Sequence, residues 1–174
     1  MTTARICHEA GMSPGILAYY FKGKDEVLFA MVRYHKRILM EDVISRLENA
    51  QSLWQRLVAI VEGNFPEKAF ERNTANAWLS VVAAAGSKPQ YGRLQNIFCK
   101  RLGSNLGSAL SSVLSRSRLD QAVLGIGVMI DGLWLRKAAG RWISRRAAID
   151  LVIAQISSNL TPGEMEILQN TNPQ

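Results

Sequence analysis

The sequence predicts an all-helical protein, and three observations carry that expectation. Apolar residues recur with a period of about 3.6 along most of the chain, and no segment sustains the alternation of a half-buried strand. Breakers at Pro66, at the Gly-Ser-Lys-Pro turn over 86–89, at 116–118, at Gly140 and at 161–163 divide the chain into helix-length pieces. A composition of 48% hydrophobic and 20% charged residues over 174 residues supports a substantial core rather than disorder.

In chain order, helices are predicted over 2–10, 14–20, 24–48, 51–64, 67–86, 89–115, 118–140 and 144–160. The first two are short and meet at Gly11, which accepts a left-handed backbone at little cost. Ser13 suits the N-cap of the second, and Pro14 its first position. Asp25 and Glu26 fall in the first turn of the third, where they complement the helix dipole. The segment 118–140 sets Leu119, Ala122, Val123, Ile126, Met129, Ile130, Leu133 and Trp134 on one broad face. The segment 144–160 does the same with Ile149, Val152, Ile153, Ile156 and Leu160. Gly125, Gly127 and Gly132 would permit close helix approach. The implied organisation is an N-terminal unit over 1–45, a larger helical unit over 46–163, and a polar tail over 164–174.

The net charge of +7 favours a polyanionic partner, although a solvated helix surface accounts for it equally well. Residues 90–146 hold ten basic and two acidic side chains. Cys7 and Cys99 form no metal or redox motif, and no secretory leader or membrane span is legible, so a cytoplasmic protein is expected. A catalytic reading finds no support. The two histidines, His8 and His35, make no pattern with Cys99, and no phosphate-binding glycine loop exists. His35, beside Lys36 and Arg37, reads as a solvated helix residue. No metal site and no cofactor is expected.

The opening segment carries the functional signal. A helix-turn-helix needs a small residue where its helices cross, a turn residue that tolerates positive φ, and apolar positions that set the angle. Cys7 and Gly11 supply the first two; Ile6, Met12, Leu17 and Tyr20 supply inward positions. Ile16, Ala18 and Tyr19 are left to face outward, and Lys24 stands at the start of the next helix, where a phosphate would bind. The plainer reading is one more helical hairpin in a bundle.

Thr2, Ile6, the run Ala10-Gly11-Met12-Ser13-Pro14-Gly15, Leu17, Tyr19-Tyr20-Phe21, Lys24, Glu26 and Leu28 resemble the DNA-binding signature of TetR-type repressors. That resemblance implies a homodimer with a helix-turn-helix domain and a helical ligand-binding and dimerisation domain. It implies that Thr2 caps the first helix and touches phosphate. Ser13, Pro14, Gly15 and Tyr19 would lie along the major groove, Tyr20 and Lys24 would contact the backbone, and Phe21 would be core. Tyr20 also has a structural role to play, with its ring buried and hydroxyl outward. Family members usually carry a further basic helix before the segment that here begins at Thr2, so a truncated helix-turn-helix domain and a late-started chain are expected.

Further on, Gly63-Asn64-Phe65, Ala77-Trp78-Leu79, the segment 91–106 and the segment 130–136 are similar to the BetI-type branch, which responds to choline. Ala18 stands where the family typically has tyrosine. The resemblance implies a double-stranded DNA operator, release by choline or a related compound of glycine-betaine metabolism, and a homodimer through helices 118–140 and 144–160. A quaternary ammonium needs aromatic faces and often a carboxylate. Trp78, Asp131 and Trp134 are therefore the expected ligand residues, with core packing the plainer role for either tryptophan and an interface role open for Asp131 and Trp134. Trp54 reads as a domain-packing residue and Trp142 as a surface one. The alternative function is a helical dimer that binds no DNA and pairs with full-length regulators.

Overall fold

The computed structural model describes residues 2–173, which form nine α-helices and no strand. They are α1 (Thr3–Glu9), α2 (Pro14–Tyr20), α3 (Lys24–Glu48), α4 (Leu53–Gly63), α5 (Arg72–Ala84), α6 (Pro89–Leu110), α7 (Arg116–Ala138), α8 (Arg145–Ser158) and α9 (Pro162–Asn170). No helix among the described residues is long and apolar enough to cross a membrane.

Local chemistry sets the first turn. Thr2 caps α1 by accepting from the Arg5 amide at 3.3 Å, and Ser13 caps α2 by accepting from the Ile16 amide at 3.4 Å. Gly11 takes φ +64°, the left-handed conformation that reverses the chain between them. Cys7 and Leu17 are buried at the crossing of the two helices.

The main core lies among α4, α5, α6, α7 and α8. Leu57, Ile60, Leu106, Ile130 and Val152 are essentially water-free in it, each contributing about 1.5–3 kcal/mol of burial. The long α3 joins the two parts of the molecule: its first turn belongs to the N-terminal unit and its last turns pack on α4. Gly63 makes that packing possible, because a Cβ there would collide with the Val43 side chain and stand 3.0 Å from its Cα. Arg46 ties the same contact, reaching Asp42 at 2.9 Å and Glu62 at 2.5 Å. By contrast, Cβ atoms at Gly125 and Gly132 would meet nothing, so within this chain those glycines serve no close approach.

Two segments differ from the expectation. The helix expected from residue 67 begins at Arg72, since Pro66, Ala69 and Phe70 are drawn into the core as a turn closed by the Phe70 amide on the Pro66 carbonyl at 2.8 Å. The tail expected over 164–174 is instead largely α9. Thr161 and Glu164 form a reciprocal capping box, Pro162 occupies the first turn, and Leu168 is fully buried. The Leu53 amide donates to the Thr171 carbonyl at 2.9 Å, fastening the end of α9 to the start of α4.

Arg118 pairs with Glu164 and also donates to the Asn159 carbonyl at 3.0 Å. The Arg118 hydrogen bond, with help from the Thr161 amide, holds the Glu164 carboxyl down to about 2. A carboxylate whose folded pKa is depressed contributes stability above its unfolded value, and that contribution disappears as pH falls through the folded value. Arg118→Gln should therefore melt below the parent at neutral pH. The gap should close as pH drops from 4.5 toward 2, as followed by thermal unfolding.

Candidate DNA interface and ligand cavity

Of the seven residues of α2, only Leu17 is buried. Ser13, Pro14, Gly15 and Ile16 are exposed along one side, and Tyr19 is 84% exposed. Tyr20 departs from its expected half-buried role: its ring is 70% exposed and meets Tyr19 edge-on, with centroids 5.0 Å apart. Phe21 is half-buried rather than core. Thr2 and Lys24 are exposed at the N-termini of α1 and α3. All seven residues expected to touch DNA are thus solvent-accessible, and α2 offers a face of small and aromatic side chains to an outside surface.

The N-terminus of α3 is also fastened to the larger unit. The Tyr91 hydroxyl donates to the Asp25 carbonyl at 3.0 Å, and Lys88 forms an ion pair with the Asp25 carboxylate. That pairing holds the Asp25 carboxyl below its ordinary range. These two contacts tie the start of α6 to the turn that bears Lys24.

Trp78, Asp131 and Trp134 line one cavity of about 40 Å³, bounded by α3, α5, α6, α7 and the turn over Pro66 and Ala69. Trp78 and Trp134 are nearly buried, at 8% and 7% exposure. Trp134 is held as a wall: its indole N–H donates to the Asn64 carbonyl at 3.1 Å and its ring meets Phe70 edge-on at 4.9 Å. Asp131 borders the cavity from α7 with one side open to solvent, and desolvation of the other side raises its carboxyl above the ordinary range.

Three cavity residues escaped the sequence reading. Phe98, on α6, stands 5.9 Å from Trp78 with the two rings inclined at 60°. The Lys36 ammonium lies over both, 3.6 Å from the Trp78 centroid and 3.1 Å from that of Phe98. Burial lowers the Lys36 amine to about 7, against the attraction of Asp131. His35 is not the solvated residue it was expected to be, for it lines the cavity and its Nδ1 is buried with no partner among the described residues. A signal for Lys36 did exist. Val32, Leu39 and Val43 share its helix face at spacings of three and four, so Lys36 interrupts an apolar stripe.

Comparison with known proteins identifies the frame. Residues 54–161 match the family described as BetI-type transcriptional repressor, C-terminal, and residues 1–31 match that of bacterial regulatory proteins of the tetR family. The chain belongs to the TetR family. Its relatives include the HTH-type transcriptional regulator BetI of Brucella suis, 38% identical over 162 residues that cover 92% of this chain and 82% of the relative. The regulator of the same name from Escherichia coli is 37% identical, covering 91% of this chain and 83% of the relative. Among solved structures, a transcriptional regulator from Pseudomonas aeruginosa shares the fold, with TM-score 0.68 at 20% identity over 96% of this chain and 84% of that one.

This TetR-family chain is a BetI-type, helix-turn-helix transcriptional repressor, and its work is regulation rather than catalysis. Trp78, Phe98, Asp131 and Trp134 all fall within the BetI-type region. His35 and Lys36 fall in the stretch between the two matched regions, on the helix that joins them.

Proposed function

We propose that the protein works as a homodimer which occupies an operator through its two α2 helices and leaves it when an organic cation of the choline type enters the cavity. The observation that carries the ligand class is the Trp78–Phe98 pair, whose ring faces already hold a cation at 3.6 and 3.1 Å. Asp131 adds a negative charge at the border, and the His35 nitrogen, with no partner among the described residues, offers a hydrogen bond to a ligand hydroxyl. Ser13, Pro14, Gly15 and Tyr19 enter the major groove, while Thr2, Tyr20 and Lys24 hold phosphates.

The dimer face is the outer side of α7 and α8. Leu124, Val128 and Leu135 recur there at helical spacing with 69%, 63% and 52% exposure, and Leu151 of α8 is likewise exposed at 53%. Gly125 and Gly132, which meet nothing within this chain, lie on the same helix and leave room for a partner backbone. Two-fold pairing sets two α2 helices at the half-site spacing of about one DNA turn.

A gel-shift titration on the DNA upstream of the gene tests the reading. Binding should fall steeply with salt, and choline should release the DNA. Lys24→Ala should weaken all sequences alike, whereas Tyr19→Ala should change the preference among them. A folded dimer that shifts no DNA at low salt would favour a regulator acting through protein partners alone.

A further inference from the structure

The cavity beside Trp78 holds about 40 Å³, room for a few waters and not for an organic cation. A second, open hollow of about 640 Å³ runs between α3 and α6, and its rim is basic, with Arg33, Arg37 and Arg101. Lys36, Leu39 and Phe98 line both spaces and so form the partition between them. We propose that the Lys36 ammonium is a built-in competitor for the ligand cage: it fills the Trp78–Phe98 cage in the unliganded protein, and a quaternary ammonium enters from the α3–α6 hollow by displacing it.

This rests on the organic-cation reading above and deepens it. The cage can serve one cation at a time, because both ring faces are occupied by the same ammonium. Among the described residues no carboxylate lies within ion-pair distance of Lys36, so its charge is held by ring faces and by the longer-range field of Asp131. Removing it to the open hollow restores its hydration, which offsets part of the cost of opening. Withdrawal also merges the two spaces, so the entry path and the needed volume appear together. Lys36 lies on α3, whose first turn carries Lys24, and Phe98 lies on α6, whose first turns hold Asp25. Expulsion of one cation by another thus acts on both helices that position the DNA-reading unit.

Competition has a pH signature. The groups that act on the Lys36 charge are Asp131 of α7 and Cys99 of α6, with His35 lining the same cavity and Arg33, Arg37 and Arg101 lining the adjoining hollow. Burial in the cage lowers the Lys36 amine to about 7, and release into the hollow lets it take up a proton again. Displacement is therefore coupled to proton uptake above that pH, and a permanently charged ligand should bind more weakly as pH rises through about 7. Asp131 acts in the opposite direction and in the acid range, since its carboxyl is raised from 3.8 and its ionisation as pH rises favours a bound cation.

The test measures tetramethylammonium and choline binding by calorimetry across neutral pH for the full chain, Lys36→Met and Lys36→Gln. Both variants should bind tetramethylammonium on the order of 10-fold more tightly than the parent at and above neutrality. They should lose the neutral-pH dependence while keeping the acid one. Tryptophan fluorescence of the unliganded parent should show a near-neutral transition that both variants lack. If the parent binds choline and the folded variants bind no better, with the same pH profile, the competitor role is overturned while the organic-cation reading stands. If neither parent nor variants bind either cation, that reading fails and takes the competitor role with it.

Discussion

Val128→Asp should convert the protein to a folded monomer and weaken operator binding by about 10²- to 10⁴-fold. The expectation rests on the exposed stripe of Leu124, Val128 and Leu135 on α7 with Leu151 on α8. In an isologous interface the same residue comes from both subunits, so one substitution places two carboxylates in a desolvated patch. Like charges there cost far more than the single burials lost, each worth about 1.5–3 kcal/mol. Val128 is 63% exposed in one chain, so the fold itself should tolerate the change. The weakening of DNA binding follows from geometry, since a lone α2 reads one half-site and loses the local concentration that the second subunit provides. Analytical ultracentrifugation and gel shift measure the two effects together. Ile167→Asp, on the exposed side of α9, is the control that should change neither. Persistence of the dimer in Val128→Asp would place the subunit contact elsewhere.

Trp78→Leu should raise the choline Kd by about 2- to 30-fold and leave operator binding without choline unchanged. Leucine keeps apolar volume in the cavity wall, so the stability cost stays below the roughly 3–5 kcal/mol of truncation to alanine. What it removes is one of the two ring faces that hold a cation. The internal Lys36 ammonium loses the same face, which moderates the fall in apparent ligand affinity. Isothermal calorimetry on the folded variant reads the change directly. Equal choline affinity in the two proteins would show that the ligand sits outside this cage.

Much of the architecture was legible from residues close together in the chain. Gly11 between two short apolar patterns announced the turn, and the structure gives it φ +64°. Ser13 and Pro14 announced the start of α2, and both occupy the expected cap and first position. The α9 helix was legible too, as Thr161 followed three residues later by Glu164. The pair of Pro162 and Gly163 drew attention to a break and away from the capping box. Among the residues expected at a ligand site, Trp78, Asp131 and Trp134 were legible by chemical type, and they line the same cavity. Lys36 was not, because a lysine in a basic run reads as solvated unless its helix face is examined.

The sequence by itself determined eight of the helices and the apolar faces, since caps, breakers and periodicity act within a turn or two of chain. Tertiary structure alone decided that Lys36 from α3 lies between a tryptophan of α5 and a phenylalanine of α6, and that His35 turns a nitrogen inward with no partner among the described residues. Such placements depend on which helices meet and at what depth. Packing of the whole core sets that depth, and no local preference for helix or turn encodes it.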